Sequence, residues 1–211
     1  MAVVAAFVLV AAFVFGYLVG SIPITYLIAR WRGHDLLTEG RGGVSGSTAM
    51  ERIGVIPGAG AGLFDALKPG LVILLAQRVA SYEVSAVAAL AAVVGHIWPL
   101  TLRFRGGRGV GPAGAALAFL GVWQMALAFV GLVLGRVLLK DSAPGALVGF
   151  LATAVVMSFT GASVTAVLVA WMMFVVLVIG RVLGYRKSQP TAYASLASLM
   201  LWRVWFDRDR P

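Results

Sequence analysis

Apolar stretches almost free of charge recur along the chain at 2–29, 57–77, 84–102, 109–135 and 143–180. Each is long enough to cross a bilayer core of about 30 Å as a helix. Apolar residues make up 61% of the 211 positions and the mean hydropathy is +0.96, above what a soluble domain of this length shows. The expected fold is an all-α polytopic integral membrane protein. No basic residue precedes the first stretch and no small-residue cleavage site with a soluble domain follows it, so it is expected to remain as an anchor.

Charge decides how the longer stretches divide. The 143–180 stretch is too long for one helix and is expected to break at Thr160-Gly161. The 109–135 stretch reads as one helix or as a short hairpin broken near Gly121. As a hairpin it places the 30–56 loop, the 103–108 loop, Arg136 with Lys140, and the 181–187 tail on one side, leaving Arg78 opposite. As one helix it separates the last two groups. The positive-inside rule therefore favours about seven transmembrane helical segments, with the N-terminus outside and the C-terminus cytoplasmic. The short pieces then need shielding by protein. Residues 1–190 are expected to form a single transmembrane domain. The 191–211 tail, apolar up to Phe206 and carrying Trp202, Arg203 and Trp205, is expected to lie at the cytoplasmic interface.

Several functions are excluded early. Without cysteine, and with His34 and His96 as the only histidines, the chain offers no disulfide, thiol nucleophile or protein-only metal cluster, so neither metal nor cofactor is expected. The net charge of +9 fits cytoplasmic loops meeting anionic lipid rather than nucleic acid, and membrane lipids are the expected surroundings. A transporter would need a continuous polar path, whereas the longest spans offer little beyond Ser, Thr and Gln124. No internal repeat supports that architecture either.

Two glycine-rich polar segments follow helices on the cytoplasmic side. The first, residues 40–52, carries Gly42 and Gly43 for converging backbone N–H groups, hydroxyls at Ser45, Ser47 and Thr48, and the guanidiniums of Arg41 and Arg52. The second, Arg103-Phe-Arg-Gly-Gly-Arg-Gly109, interleaves Arg105 and Arg108 with Gly106, Gly107 and Gly109, so that main chain and forked donors approach the same phosphoryl oxygens. Positive-inside signals with flexible turns are the plainer alternative. Asp65 and Lys68, three apart on one helix face, either neutralise each other or hold Lys68 toward an anionic substrate. His96, near its helix end, is read as a structural hydrogen-bonder or as a group with a proton-transfer or phosphate role. His34 is expected to be inert, and Trp98 and Tyr26 suit an interfacial belt.

Gly20-Ser-Ile-Pro-Ile-Thr-Tyr-Leu27, Phe64-Asp-Ala-Leu-Lys68, Gly95-His-Ile-Trp-Pro99 and Arg103-Phe-Arg-Gly-Gly-Arg-Gly-Val110 occur in the order seen in one family. They resemble the acyl-phosphate-dependent glycerol-3-phosphate acyltransferases of bacteria, the PlsY family, across most of residues 16–181. The resemblance implies a seven-helix inner (plasma) membrane enzyme, active on its cytoplasmic face, that moves a fatty acyl group from acyl phosphate to glycerol 3-phosphate. The product is lysophosphatidic acid, for phospholipid synthesis, and no cofactor takes part. It implies that Ser45, Ser47, Arg52, Lys68 and His96 serve catalysis, that Gly42, Gly43 and the 105–109 loop bind phosphate, and that Gly20, Ser21, Pro23 and Trp98 face the acyl chain or shape the fold. The chain departs from the family in two places. The second motif, Gly-Ser-Gly-Asn-x-Gly-x-Thr-Asn, reads Gly40-Arg-Gly-Gly-Val-Ser-Gly-Ser-Thr48 here. The chain has no asparagine at all, so the Arg-His-x-x-Asn pattern after the last helix has no counterpart in 181–187. The family's lysine in Gly-Gly-Lys-Gly is Arg108. A catalytically diverged relative, binding a phospholipid precursor or supporting a lipid-synthesis partner enzyme, is the competing expectation.

Overall fold

The computed structural model describes residues 2–39, 43–184 and 195–207, which are helical apart from short connections. Among the described residues ten α-helices run in order: α1 (Ala2–Gly20), α2 (Ile24–Trp31), α3 (Gly46–Ile53), α4 (Val55–Ala76), α5 (Tyr82–Ile97), α6 (Val110–Leu120), α7 (Val122–Leu138), α8 (Ser142–Phe159), α9 (Val164–Leu183) and α10 (Leu196–Phe206). A 3-10 turn, Leu100–Leu102, follows α5.

Two boundaries differ from expectation. The 2–29 stretch is not one helix, because the proline at position 23 lacks an N–H and ends the regular ladder, leaving α1 and α2 either side of Ser21-Ile22-Pro23. The 40–52 segment is not all loop. Ser45 caps α3 by accepting from the Thr48 amide at 3.2 Å, and Gly54, at φ 95°, lets the chain pass directly into α4. The break expected at Thr160-Gly161 is present, with Gly161 at φ 71° between α8 and α9.

The 109–135 stretch folds as two helices joined at Gly121, whose backbone is extended. The start of α6 packs on Leu177, near the C-terminal end of α9. The end of α7 packs on α8 at Gly145, beside Ala143, whose carbonyl accepts from Arg181 of α9 at 2.7 Å. Both ends of the pair thus lie at one end of the bundle. Antiparallel α7 and α8 approach closely through Gly131, Gly135, Gly145 and Gly149, where an added Cβ would fall 2.2–2.7 Å from facing backbone. Small residues four apart allow this approach in membranes, where packing rather than the hydrophobic effect drives association. Gly16 and Gly20 bring α1 onto α5 in the same way, at Ala88 and Ala92.

Helix α5 forms the centre. Buried in 67% of its span against 11% for the first, it supplies Ala86, Ala89, Leu90, Val93 and Ile97 to a core shared with α6, α8 and α9. Its C-terminus therefore points a rigid end at one pole of the bundle. The ends of α1 and α9 and the start of α6 gather at the same pole.

Candidate active site

Breaking the first span at Pro23 leaves orphan carbonyls at the end of α1 and orphan amides at the start of α2. Pro23, as the residue before α2, has no side-chain acceptor to cap it. Asp65, from the middle of α4, takes that role: its carboxylate accepts from the Ile24 amide at 3.1 Å and the Thr25 amide at 3.0 Å. Lys68, one turn on, donates to the carbonyls of Gly20 at 2.6 Å and Ile22 at 2.5 Å and pairs with Asp65 at 2.9 Å. The cation thus meets the negative end of α1 and the anion the positive end of α2, matching both dipoles. All three ammonium hydrogens have partners within the protein. Lys68 thus neutralises Asp65 and caps the end of α1.

The 103–109 loop folds back over the end of α5. Gly107 donates to the His96 carbonyl at 3.1 Å and Gly106 to the Ile97 carbonyl at 3.2 Å. Arg103 and Phe104 reverse the chain with φ of 52° and 64°. The two glycines are demanded by contact. A Cβ on Gly106 would lie 2.2 Å from the His96 carbonyl oxygen, and one on Gly107 would lie 2.3 Å from His96 Nε2 and 2.6 Å from the Val44 carbonyl oxygen. Gly107 is therefore where the loop, His96 and the 43–45 segment touch. A small pocket here is lined by Gly20, Pro23, Val44, Asp65, Lys68, His96, Pro99, Leu102, Gly106 and Gly107. Further ties hold it: the Thr101 hydroxyl donates to the Ser21 carbonyl at 2.6 Å, and the Tyr17 hydroxyl to the Trp98 carbonyl at 2.9 Å.

Other expected site residues do not line this pocket. Ser45 Oγ lies 3.0 Å from both Ser47 Oγ and Thr48 Oγ1, forming a hydroxyl cluster at the start of α3. Gly43 precedes this cluster, whereas Gly42 and Arg41 lie outside the described residues, as does the 185–194 part of the tail. Arg52 Nε lies 3.9 Å from Glu39 Oε2. His34 Nδ1 pairs with Glu39 at 3.0 Å, and this bond, with the Asp35 amide, holds the Glu39 carboxyl below the usual carboxylate range. Arg105 is exposed on the loop, and Gly109, at φ 77°, turns the chain into α6 against Ile97 and Leu177. Trp98 is half-buried against the core.

Arg108 takes a course that no motif announced. Its Nε pairs with Asp207 Oδ2, just past α10, at 2.9 Å. Its Nη1 lies where a side chain on Gly184 would be, 2.2 Å from the Cβ position. Asp207 was missed because the pair joins positions 99 apart with no spacing rule between them. Among the described residues, no three His, Cys, Asp or Glu side chains gather as a metal site.

The hydroxyl cluster separates capping from any substrate role. Ser45→Ala is expected to remove the α3 cap at a cost of about 1 kcal/mol. Thermal unfolding should show a fall of roughly 2–4 °C. Ser47→Ala, which leaves the cap bond in place, should not show it.

An interrupted first span, a buried ion pair that bridges the interruption and an arginine-glycine loop folded onto a central helix end define a polytopic membrane protein with a polar site at one pole. The chain belongs to the glycerol-3-phosphate acyltransferase family, whose description matches residues 10–201. It is 33% identical over 204 residues to glycerol-3-phosphate acyltransferase 4 of Dehalococcoides mccartyi (strain CBDB1), covering 92% of this chain and 86% of that protein. It is 43% identical over 109 residues to glycerol-3-phosphate acyltransferase 2 of Moorella thermoacetica, covering 51% and 56%. Against several other curated relatives the chain likewise spans only 52–58% of their length. The fold matches a crystal structure of PlsY (YgiH), an integral membrane glycerol 3-phosphate acyltransferase in its glycerol 3-phosphate form. The TM-score is 0.72 at 21% identity, over 85% of this chain and 96% of the other.

Proposed function

We propose that this chain transfers a fatty acyl group from acyl phosphate to glycerol 3-phosphate, releasing phosphate and forming lysophosphatidic acid. One observation carries this reading. The four segments that resemble the family, though scattered over residues 20–110, converge on one pocket at the end of α5. A glycerol hydroxyl oxygen bonds to the acyl carbon, the bond from that carbon to the phosphate oxygen breaks, and the hydroxyl proton passes to a substrate phosphate oxygen. Because acyl phosphate is already activated, the protein's task is alignment and stabilisation of developing charge. Arg108 and Arg105 hold phosphate from a loop that the Gly106 and Gly107 amides fasten to the end of α5, with Gly109, Gly42 and Gly43 letting the main chain approach. Ser45 or Ser47 orients an oxygen, and Arg52 and His96 complete the polar surroundings. Asp65 and Lys68 keep the Gly20-to-Pro23 break in shape, and the faces around Gly20 and Trp98 take the acyl chain.

The topology we infer has seven transmembrane segments, counting α1 with α2 as one and α6 and α7 separately. Arg103, Arg105, Arg136, Lys140 and Arg181 all lie toward the pole that carries the site, while Arg78 follows α4 at the other. By the positive-inside rule that pole is cytoplasmic, at the inner membrane, with the N-terminus outside. Residues 1–190 then form the transmembrane domain and 191–211 an interfacial tail.

Mass spectrometry of purified protein incubated with palmitoyl phosphate and glycerol 3-phosphate tests the reaction. Lysophosphatidic acid formed only with both substrates supports it. Folded protein that binds the substrates without product would favour the diverged, lipid-precursor-binding reading, which the absence of asparagine motivates.

A further inference from the structure

The C-terminal helix reaches the phosphate loop through an ion pair. Arg108 Nε and Asp207 Oδ2 are 2.9 Å apart, with side-chain exposures of 21% and 18%. An Nε-bearing edge of a guanidinium is the edge that takes a carboxylate or a phosphate side-on, and one oxyanion fills it. Asp207 therefore occupies the arginine in the manner a substrate phosphate would. This inference rests on the assignment of Arg108 to phosphate binding.

Helix α10 does not depend on that ion pair for its place. Arg181 donates to the Val204 carbonyl at 2.7 Å and Arg203 to the Val182 carbonyl at 3.1 Å, which ties α10 to the end of α9. These bonds run to main chain and are not made by the Asp207 side chain, which also faces the buried Arg181 guanidinium as an opposite charge. Asp207 itself closes α10 at φ 50°, donating its amide to the Arg203 carbonyl at 3.1 Å. Left-handed backbone suits asparagine as well as aspartate, so an Asn at this position keeps the helix end. Gly184 supplies the remaining condition, since any side chain there would meet Arg108 Nη1. The guanidinium is thus seated between α9 and α10, with a carboxylate as its counter-ion.

We propose that Asp207 is an affinity-setting residue for the substrate phosphate: its carboxylate holds Arg108 when the site is empty and must be displaced for phosphate to bind. The carboxylate is tethered to the protein and carries a single charge, whereas a phosphate brings up to two charges and three acceptor oxygens. Displacement by substrate is therefore favourable, at a cost in apparent affinity.

The test is titration of the full chain in detergent with glycerol 3-phosphate, and separately with inorganic phosphate, comparing wild type, Asp207→Asn, Asp207→Glu and Asp207→Asn/Arg108→Ala. Asp207→Asn should bind both ligands about fivefold more tightly, in line with loss of a partly exposed ion pair. Asp207→Glu should stay near wild type, and the double variant should show no gain. Unfolding temperatures within a few degrees of wild type confirm that α10 remains docked. Equal or weaker binding by Asp207→Asn overturns the proposal, because it would make Asp207 inert or a support that orients Arg108. Acyl transfer measured alongside separates the two readings. Turnover with unmoved binding removes the role of Asp207 alone, whereas tightened binding without turnover removes acyl transfer and leaves the competition standing.

Discussion

Lys68→Met is expected to destabilise the protein by about 3–5 kcal/mol, the usual cost of removing one partner of a buried ion pair. In a chain of this size that corresponds to an unfolding temperature lower by about 6–20 °C. The effect is large because the lysine joins three things at once. Its removal leaves the Asp65 carboxylate without its counter-ion and the Gly20 and Ile22 carbonyls without donors, all beside residues that are 2–5% exposed. Each of those groups then pays for desolvation unrelieved. Asp65 keeps the amides of Ile24 and Thr25, so the helix break is weakened and not abolished. Asp65→Asn/Lys68→Met should recover part of the loss, since it removes both charges and an asparagine oxygen still accepts from α2. Scanning calorimetry or fluorescence-detected melting in detergent measures this. A Lys68→Met protein that melts with wild type would show that the pair does not hold the first span.

Gly107→Ala should disable the site while leaving the bundle standing. The new methyl would lie 2.3 Å from His96 Nε2 and 2.6 Å from the Val44 carbonyl oxygen, so either the loop or the 43–45 segment must move. Overpacking of this kind costs about 1–3 kcal/mol in stability. The catalytic penalty is greater, because a displacement near 1 Å in a positioning loop lowers rates about 10²-fold. Acyl transfer should fall by about that factor while the protein still purifies as a folded species. Gly114→Ala is the matched control. Nothing lies within 4 Å of its Cβ position in α6, so it should be neutral or stabilising. Equal activity in Gly107→Ala and wild type would refute the claim that these three segments must touch.

Much of this arrangement was legible in the chain. Basic residues on either side of 109–135 pointed to a break near Gly121, and the structure places the start of α6 and the end of α7 at one pole. The spacing of Asp65 and Lys68 put them on one helix face. Their real partners, the backbone groups flanking Pro23, lie 40 to 48 positions away and leave no periodicity to follow. Helix α3 was hidden because its glycine and hydroxyls suit an anion nest equally well. Ser45 before it and Gly54 after it were start and stop signals that composition alone did not separate. The Gly-Gly pair suggested backbone approaching phosphate, whereas half the reason is nearer to hand: Gly106 and Gly107 let the loop lie against His96 and Val44. Arg108 pairing with Asp207 belongs to tertiary structure alone.

Phosphate release from palmitoyl phosphate by the purified protein, with and without glycerol 3-phosphate and set against Arg108→Ala, tests the central claim most directly. The account predicts release that depends on the acceptor and falls at least tenfold in the variant, which is about 1.4 kcal/mol of lost transition-state stabilisation. No acceptor-dependent release from folded wild-type protein, or wild-type turnover in Arg108→Ala, would contradict it.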